Sequence, residues 1–119
     1  MKKHFVGKQG RQGDILFEIV DRLPDGAKST EKILDKALGR HLVALGEVTG
    51  HHHSVLATDF DIYEKDGTLY MRAKADCATA EPAIEHQEHE PLVFPKGETV
   101  KIVRQREHDY VQGIRQVMD

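Results

Sequence analysis

The sequence predicts a mainly β domain, a small antiparallel barrel or sandwich with a short C-terminal helix. Three observations carry this expectation. Residues alternate in polarity along Asp14–Val20, Thr68–Lys74 and Glu98–Arg106, the period of two that gives a strand one core-facing side. Asp66-Gly67 lies between the β-prone runs Ile62–Lys65 and Thr68–Met71, which is the composition of a two-residue hairpin turn. Glycine and proline punctuate the chain at intervals of about ten residues, as in folds of many short strands.

Residues 1–13 read as an N-terminal loop, because Gly7–Gly13 is polar and rich in glycine. In Asp14–Val20, Ile15, Phe17 and Ile19 share one face. Leu23-Pro24-Asp25-Gly26 has turn chemistry, with proline presetting φ and glycine accepting a positive φ. Ser29–Leu38 reads as one or two helical turns, capped by Ser29 or Thr30 and ended by Gly39. Arg40–Val48 alternates again, and Gly46 and Gly50 suggest a bulge or a close backbone approach. Pro82, Pro91 and Pro95 mark short strands, and Pro95-Lys96-Gly97 turns the chain into Glu98–Arg106. Residues 109–118 place Tyr110, Ile114, Val117 and Met118 at helical spacing behind a candidate N-cap, Asp109. Gly113 weakens that helix by roughly 1 kcal/mol relative to alanine.

The chain of 119 residues is read as a single domain, 1–119, large enough to bury a core without covalent staples. A net charge of −3 does not indicate general nucleic-acid binding. No apolar run approaches the roughly 20 residues of a membrane span. Cys77 is the only cysteine, so no disulfide framework exists and a reducing, cytoplasmic setting is expected. The partner expected is a small molecule or a protein, with homo-oligomerisation open.

Histidine is the unusual component. Three of the eight are consecutive, His51-His52-His53, inside patterned sequence. On a strand, His51 and His53 face one way and His52 the other. Two imidazoles one residue apart can bind one metal ion if another segment completes the set. Glu85-His86-Gln87-Glu88-His89-Glu90 supplies two more imidazoles and three carboxylates. The candidate metal ligands are therefore His51, His53, His86 and His89, with Glu88 as a candidate catalytic carboxylate. Such a set suits zinc, iron, manganese or nickel rather than calcium or magnesium. The competing reading is a solvated polar loop. Arg104 and Arg106 share a strand face, and with Arg115 they could bind an anion. With one histidine as base and another as acid, these arginines could serve a metal-free phosphodiesterase. A solvated strand face is the ordinary alternative. Cys77 beside Asp76 reads as a small, inert residue.

His51-His52-His53 and Pro95-Lys96-Gly97 loosely resemble the two motifs of the cupin barrels. The cupin glutamate after HxH is replaced by Ser54–Thr58, and no histidine follows Pro95-Lys96-Gly97 closely, so the likeness is architectural. A second resemblance spans nearly the whole chain. Gln12-Gly13-Asp14-Ile15-Leu16, Gly46–His53, Glu88–Leu92 and Arg104-Gln105-Arg106-Glu107 are similar to a family of small, largely uncharacterised proteins of bacteria and their phages. Its pattern runs GEVTGHxH, HxEH, then QRE and an aromatic. His51, His53, His86, Glu88 and His89 fall on its polar positions, while His108 stands where the aromatic is expected. The resemblance implies a site without naming an activity. The functional expectation is thus a metal-binding β domain, of hydrolytic or cupin-like type. A non-enzymatic phage or mobile-element accessory protein and the metal-free phosphodiesterase are the alternatives.

Overall fold

The structure is a computed structural model that describes residues 1–45 and 51–103. Among the described residues, twelve strands follow one another in chain order. They are β1 (Lys3–His4), β2 (Gln9–Gln12), β3 (Ile15–Val20), β4 (Lys28–Ser29), β5 (Leu34–Asp35) and β6 (Arg40–Leu45). After them come β7 (His52–Leu56), β8 (Phe60–Lys65), β9 (Thr68–Ala73), β10 (Ala83–Ile84), β11 (Leu92–Val93) and β12 (Thr99–Val103). No helix occurs among the described residues, so none is long and apolar enough to cross a membrane. The expected mainly β architecture is the observed one.

Three sheets are built from these strands: β1-β11-β10, β2-β3-β12-β9-β8-β4 and β5-β6-β7. All pairings are antiparallel except β1 with β11. The alternation read in the sequence becomes burial. Ile15, Phe17, Val100 and Ile102 point inward from the adjacent strands β3 and β12, and Ile62 and Met71 do so from β8 and β9. Phe94 joins the sheets at the centre. Its ring meets Phe17, Phe60 and Phe5 edge-on at centroid distances of 5.2, 5.3 and 5.1 Å, each contact contributing about 0.5–1.5 kcal/mol beyond simple burial.

The Asp66-Gly67 hairpin is present as expected. Lys65 pairs with Thr68, and both turn residues have positive φ, 50° at Asp66 and 81° at Gly67. Two expectations are corrected. Residues 1–13 are not a loop, since they hold β1 and β2. A tight turn at Gly13-Asp14, with Gly13 at φ 56°, lets β2 pair with β3 from Gln12↔Ile15 to Gln9↔Glu18. Polar composition did not preclude a strand there, because alternate residues Gly10 and Gln12 are buried. Residues 29–38 are not helical either. Leu42 N–H donates to Ile33 O, and Leu34 pairs with His41, so the segment is the first arm of a hairpin with β6. Its local polar bonds, Leu38 N–H to Asp35 Oδ1 and Gly39 N–H to Asp35 O, close the turn of that hairpin. Strand pairing has overridden a weak helical propensity. The β6–β7 register shifts between Leu42 and Ala44, while Gly46 and Gly50, where an irregularity was anticipated, lie outside the described residues. Residues 46–48 of the expected strand, the expected helix 109–118, and Arg104, Arg106 and Arg115 lie outside the described residues.

Candidate functional site

Two backbone hydrogen bonds fix the site. Ser54 N–H donates to Glu85 O at 2.9 Å, and Glu85 N–H donates to Ser54 O at 2.8 Å. This reciprocal antiparallel bridge joins β7 to the chain just after β10. Carrying the same register outward sets His53 opposite His86, His52 opposite Gln87 and His51 opposite Glu88. Each of these pairs makes contact. The rings of His53 and His86 lie 4.5 Å apart, His52 N–H donates to Gln87 Oε1 at 2.9 Å, and His51 Nδ1 stands 3.3 Å from Glu88 Oε1. Segments more than thirty residues apart in sequence thus meet because one bridge aligns them.

Arg40 braces the bridge. Its Nε donates to Ser54 Oγ at 2.8 Å, and one terminal nitrogen reaches both Ser54 O and Glu85 Oε1, at 3.3 and 2.6 Å. A shallow groove of about 230 Å³ runs alongside, lined by Arg40, His52, Ser54, Glu85, His86 and Gln87.

Strand β7 begins at His52, so His52 and His53 are successive residues on it. His53 is buried at 4% exposure, while His52 is held by Gln87, whose Nε2 lies 3.3 Å from His52 Nε2. His86 is the hub of the remaining rings. Its centroid lies 4.5 Å from that of His53, 4.6 Å from His89 and 5.7 Å from His51. His53 and His89 are 6.1 Å apart and nearly parallel. Burial pushes His86 below the ordinary imidazole range, and charge on His89, His51 and His52 would push it further, against the opposing pull of Glu88. Neutral His86 is therefore favoured, the form that carries a lone pair.

In the neutral rings of His53 and His86, the hydrogen bonds assign where the lone pair sits. Gln12 is wholly buried, and its Nε2 donates to both Ile84 O and Glu90 O at 3.0 Å. Carbonyl oxygens only accept, so the amide nitrogen must face them and Oε1 must face His53 Nδ1, 2.8 Å away. His53 Nδ1 therefore carries a proton, and in the neutral ring Nε2 carries the lone pair. His86 has the opposite arrangement, since its Nδ1 accepts from Glu88 N–H at 3.0 Å. Neutral His86 then bears its proton on Nε2. His89 is seated over Gly13. A Cβ at that glycine would stand 2.6 Å from His89 Nε2.

The fold thus brings together His51, His53, His86, His89 and Glu88, while His52 pairs with Gln87 and lines the groove beside His86. As these side chains lie, no three His, Cys, Asp or Glu groups among the described residues have metal-holding geometry. Gln12, Gly13 and Gln87 complete the site and were not singled out from the sequence as site residues. Gln12-Gly13 opened one of the strings carrying the family resemblance, which was the one available signal. Residues 11–105 match a family described as Domain of unknown function (DUF8820). No curated protein and no solved structure matches the chain.

Proposed function

The chain belongs to this DUF8820 family, and we propose that it binds one divalent transition-metal ion through His53, His86 and His89, with His51 as a fourth ligand. The ring spacing carries this reading. A metal–nitrogen bond of about 2.0–2.1 Å puts each ring centroid about 3.2 Å from the ion, so rings at the tetrahedral angle sit about 5 Å apart. The observed separations of 4.5, 4.6, 5.7 and 6.1 Å bracket that value. An all-imidazole set suits zinc, iron, manganese or nickel. To bind through Nε2, His86 must surrender its bond from Glu88 N–H, a cost of about 1 kcal/mol that metal ligation readily exceeds. Glu88, largely exposed and with Oε1 3.3 Å from His51 Nδ1, is the carboxylate beside these imidazoles that would serve as general base if an ion were bound. Hydrolysis is the activity this composition supports. Cys77 as sole cysteine and the resemblance to bacterial and phage proteins support a reducing cytoplasmic setting.

A second reading draws on the opposite tautomers of His53 and His86. One ring offers a lone pair on Nε2 and its neighbour offers an N–H, the complement required for metal-free general base and acid catalysis. Elemental analysis of protein purified without a histidine tag, followed by zinc titration calorimetry, separates the two. One tightly held ion per chain supports the metal centre. Absence of metal, together with zinc binding no tighter than that of His53→Ala, would rule it out.

A further inference from the structure

We propose that Gln12 is a positioning residue that fixes His53 in the Nδ1–H tautomer and thereby makes Nε2 the atom His53 offers to the metal. The ligand half of this inference rests on the metal-binding reading above. The tautomer half rests only on the hydrogen bonds.

Gln12 has no freedom to act otherwise. Its amide sits between two carbonyl oxygens, Ile84 O on β10 and Glu90 O just before β11, each 3.0 Å away. Reversing the amide would set its oxygen against both carbonyls in a fully buried place, costing the donors and adding lone-pair repulsion. The oxygen that remains, 2.8 Å from His53 Nδ1, accepts one proton and dictates which ring nitrogen holds it. In metal centres this is the usual task of the residue behind a ligating histidine, which fixes the ring's tautomer and orientation. Gln12 also spans the site. It belongs to β2, bonds to the chain on both sides of the His86–His89 segment, and touches His53 on β7. Gly13, the next residue, seats His89. The β2–β3 turn therefore places two of the four imidazoles.

Long-range ¹⁵N–¹H correlation spectra of the metal-free full chain report the tautomer of each histidine directly. His53 is expected to show the Nδ1–H pattern in the wild type and to lose it in Gln12→Met, which keeps side-chain length but neither donates nor accepts strongly. Zinc affinity should fall about 10- to 100-fold in Gln12→Met. Gln12→Glu loses the donors to Ile84 and Glu90 but keeps an acceptor for His53 Nδ1. It should retain the Nδ1–H pattern and bind zinc more tightly than Gln12→Met. A purely structural Gln12 predicts the reverse order of affinities, or equal ones. An Nε2–H pattern at His53 in the wild type overturns the proposal even if neither variant folds. So does an unchanged pattern in folded Gln12→Met. Wild-type protein that shows the Nδ1–H pattern but takes up no zinc refutes the metal reading and the ligand role of Nε2. The tautomer change in Gln12→Met still decides the positioning role.

Discussion

Replacing Gly13 by alanine separates the seating of His89 from the stability of the fold. Gly13 has φ 56°, a region that costs an L-residue roughly 1–2 kcal/mol. The added Cβ would also lie 2.6 Å from His89 Nε2 and 2.8 Å from its Cδ2, so the ring must withdraw by about 0.8 Å to reach ordinary contact at 3.4 Å. The ring is the far end of a mobile side chain, so that withdrawal adds little to the backbone cost. It does remove the nitrogen from its place in the cluster. Gly7 provides the control, because its φ is 61° and nothing lies within 4 Å of a Cβ built there. Gly7→Ala and Gly13→Ala should each lower unfolding free energy by about 1–2 kcal/mol in urea with chelator present. Only Gly13→Ala should lower zinc affinity, by about tenfold or more. Equal zinc affinities in the two variants would refute the assignment of His89 as a ligand.

Three further outcomes are expected. Gly67→Val should destabilise by about 1 kcal/mol or more, since φ is 81° and a β-branched residue is strained there; an unshifted urea midpoint would contradict this. His52→Ala should leave zinc binding intact while His51→Ala and His53→Ala weaken it, and calorimetry showing three alike would dissolve the division between the two faces of β7. Stability should fall on acidification. Buried His41 is held below the ordinary value of 6.5, by desolvation first and by Lys74, despite Glu31 and Asp61, and His86 is lowered as well. Between 6.5 and the folded values the unfolded chain binds more protons, so stability present above about 6.5 is lost as pH drops through that window. Urea midpoints for the chelator-treated protein at several pH values measure it, and His41→Gln should flatten the profile.

Local patterns were legible in the sequence where one residue type had one physical meaning. Asp66-Gly67 forces positive φ at two adjacent positions, and the hairpin formed there. Ile15 and Phe17, and likewise Val100 and Ile102, are spaced two residues apart so that each pair shares a strand face, and all four are core. Residues 29–38 were misread because helical capping and a hairpin turn use the same residues, here Thr30, Asp35 and Gly39. What decided between them was pairing with β6, which no short window contains. The same limit governed the site. His51, His53, His86 and His89 could be picked out by type and spacing, yet their convergence depends on the Ser54–Glu85 bridge. Gln12 looked like an ordinary polar residue of a glycine-rich loop. Its importance comes from Ile84 and Glu90, more than seventy residues away.

The bridge between Ser54 and Glu85 makes the cluster sensitive to chain length rather than only to residue identity. One residue inserted between Glu85 and His86 would carry His86 into the place of Gln87 and Gln87 into that of Glu88. One residue inserted between His53 and Ser54 would shift the facing side by the same step and reverse which histidines look inward. Length changes at the Asp66-Gly67 tip lie at the far end of a separate hairpin and leave this alignment alone. Across related chains, gaps should therefore be excluded from 51–54 and 85–89 and tolerated at 66–67, even where the residues themselves have drifted. Any redesign of the site can exchange side chains across the three facing pairs, but it must keep the count between them.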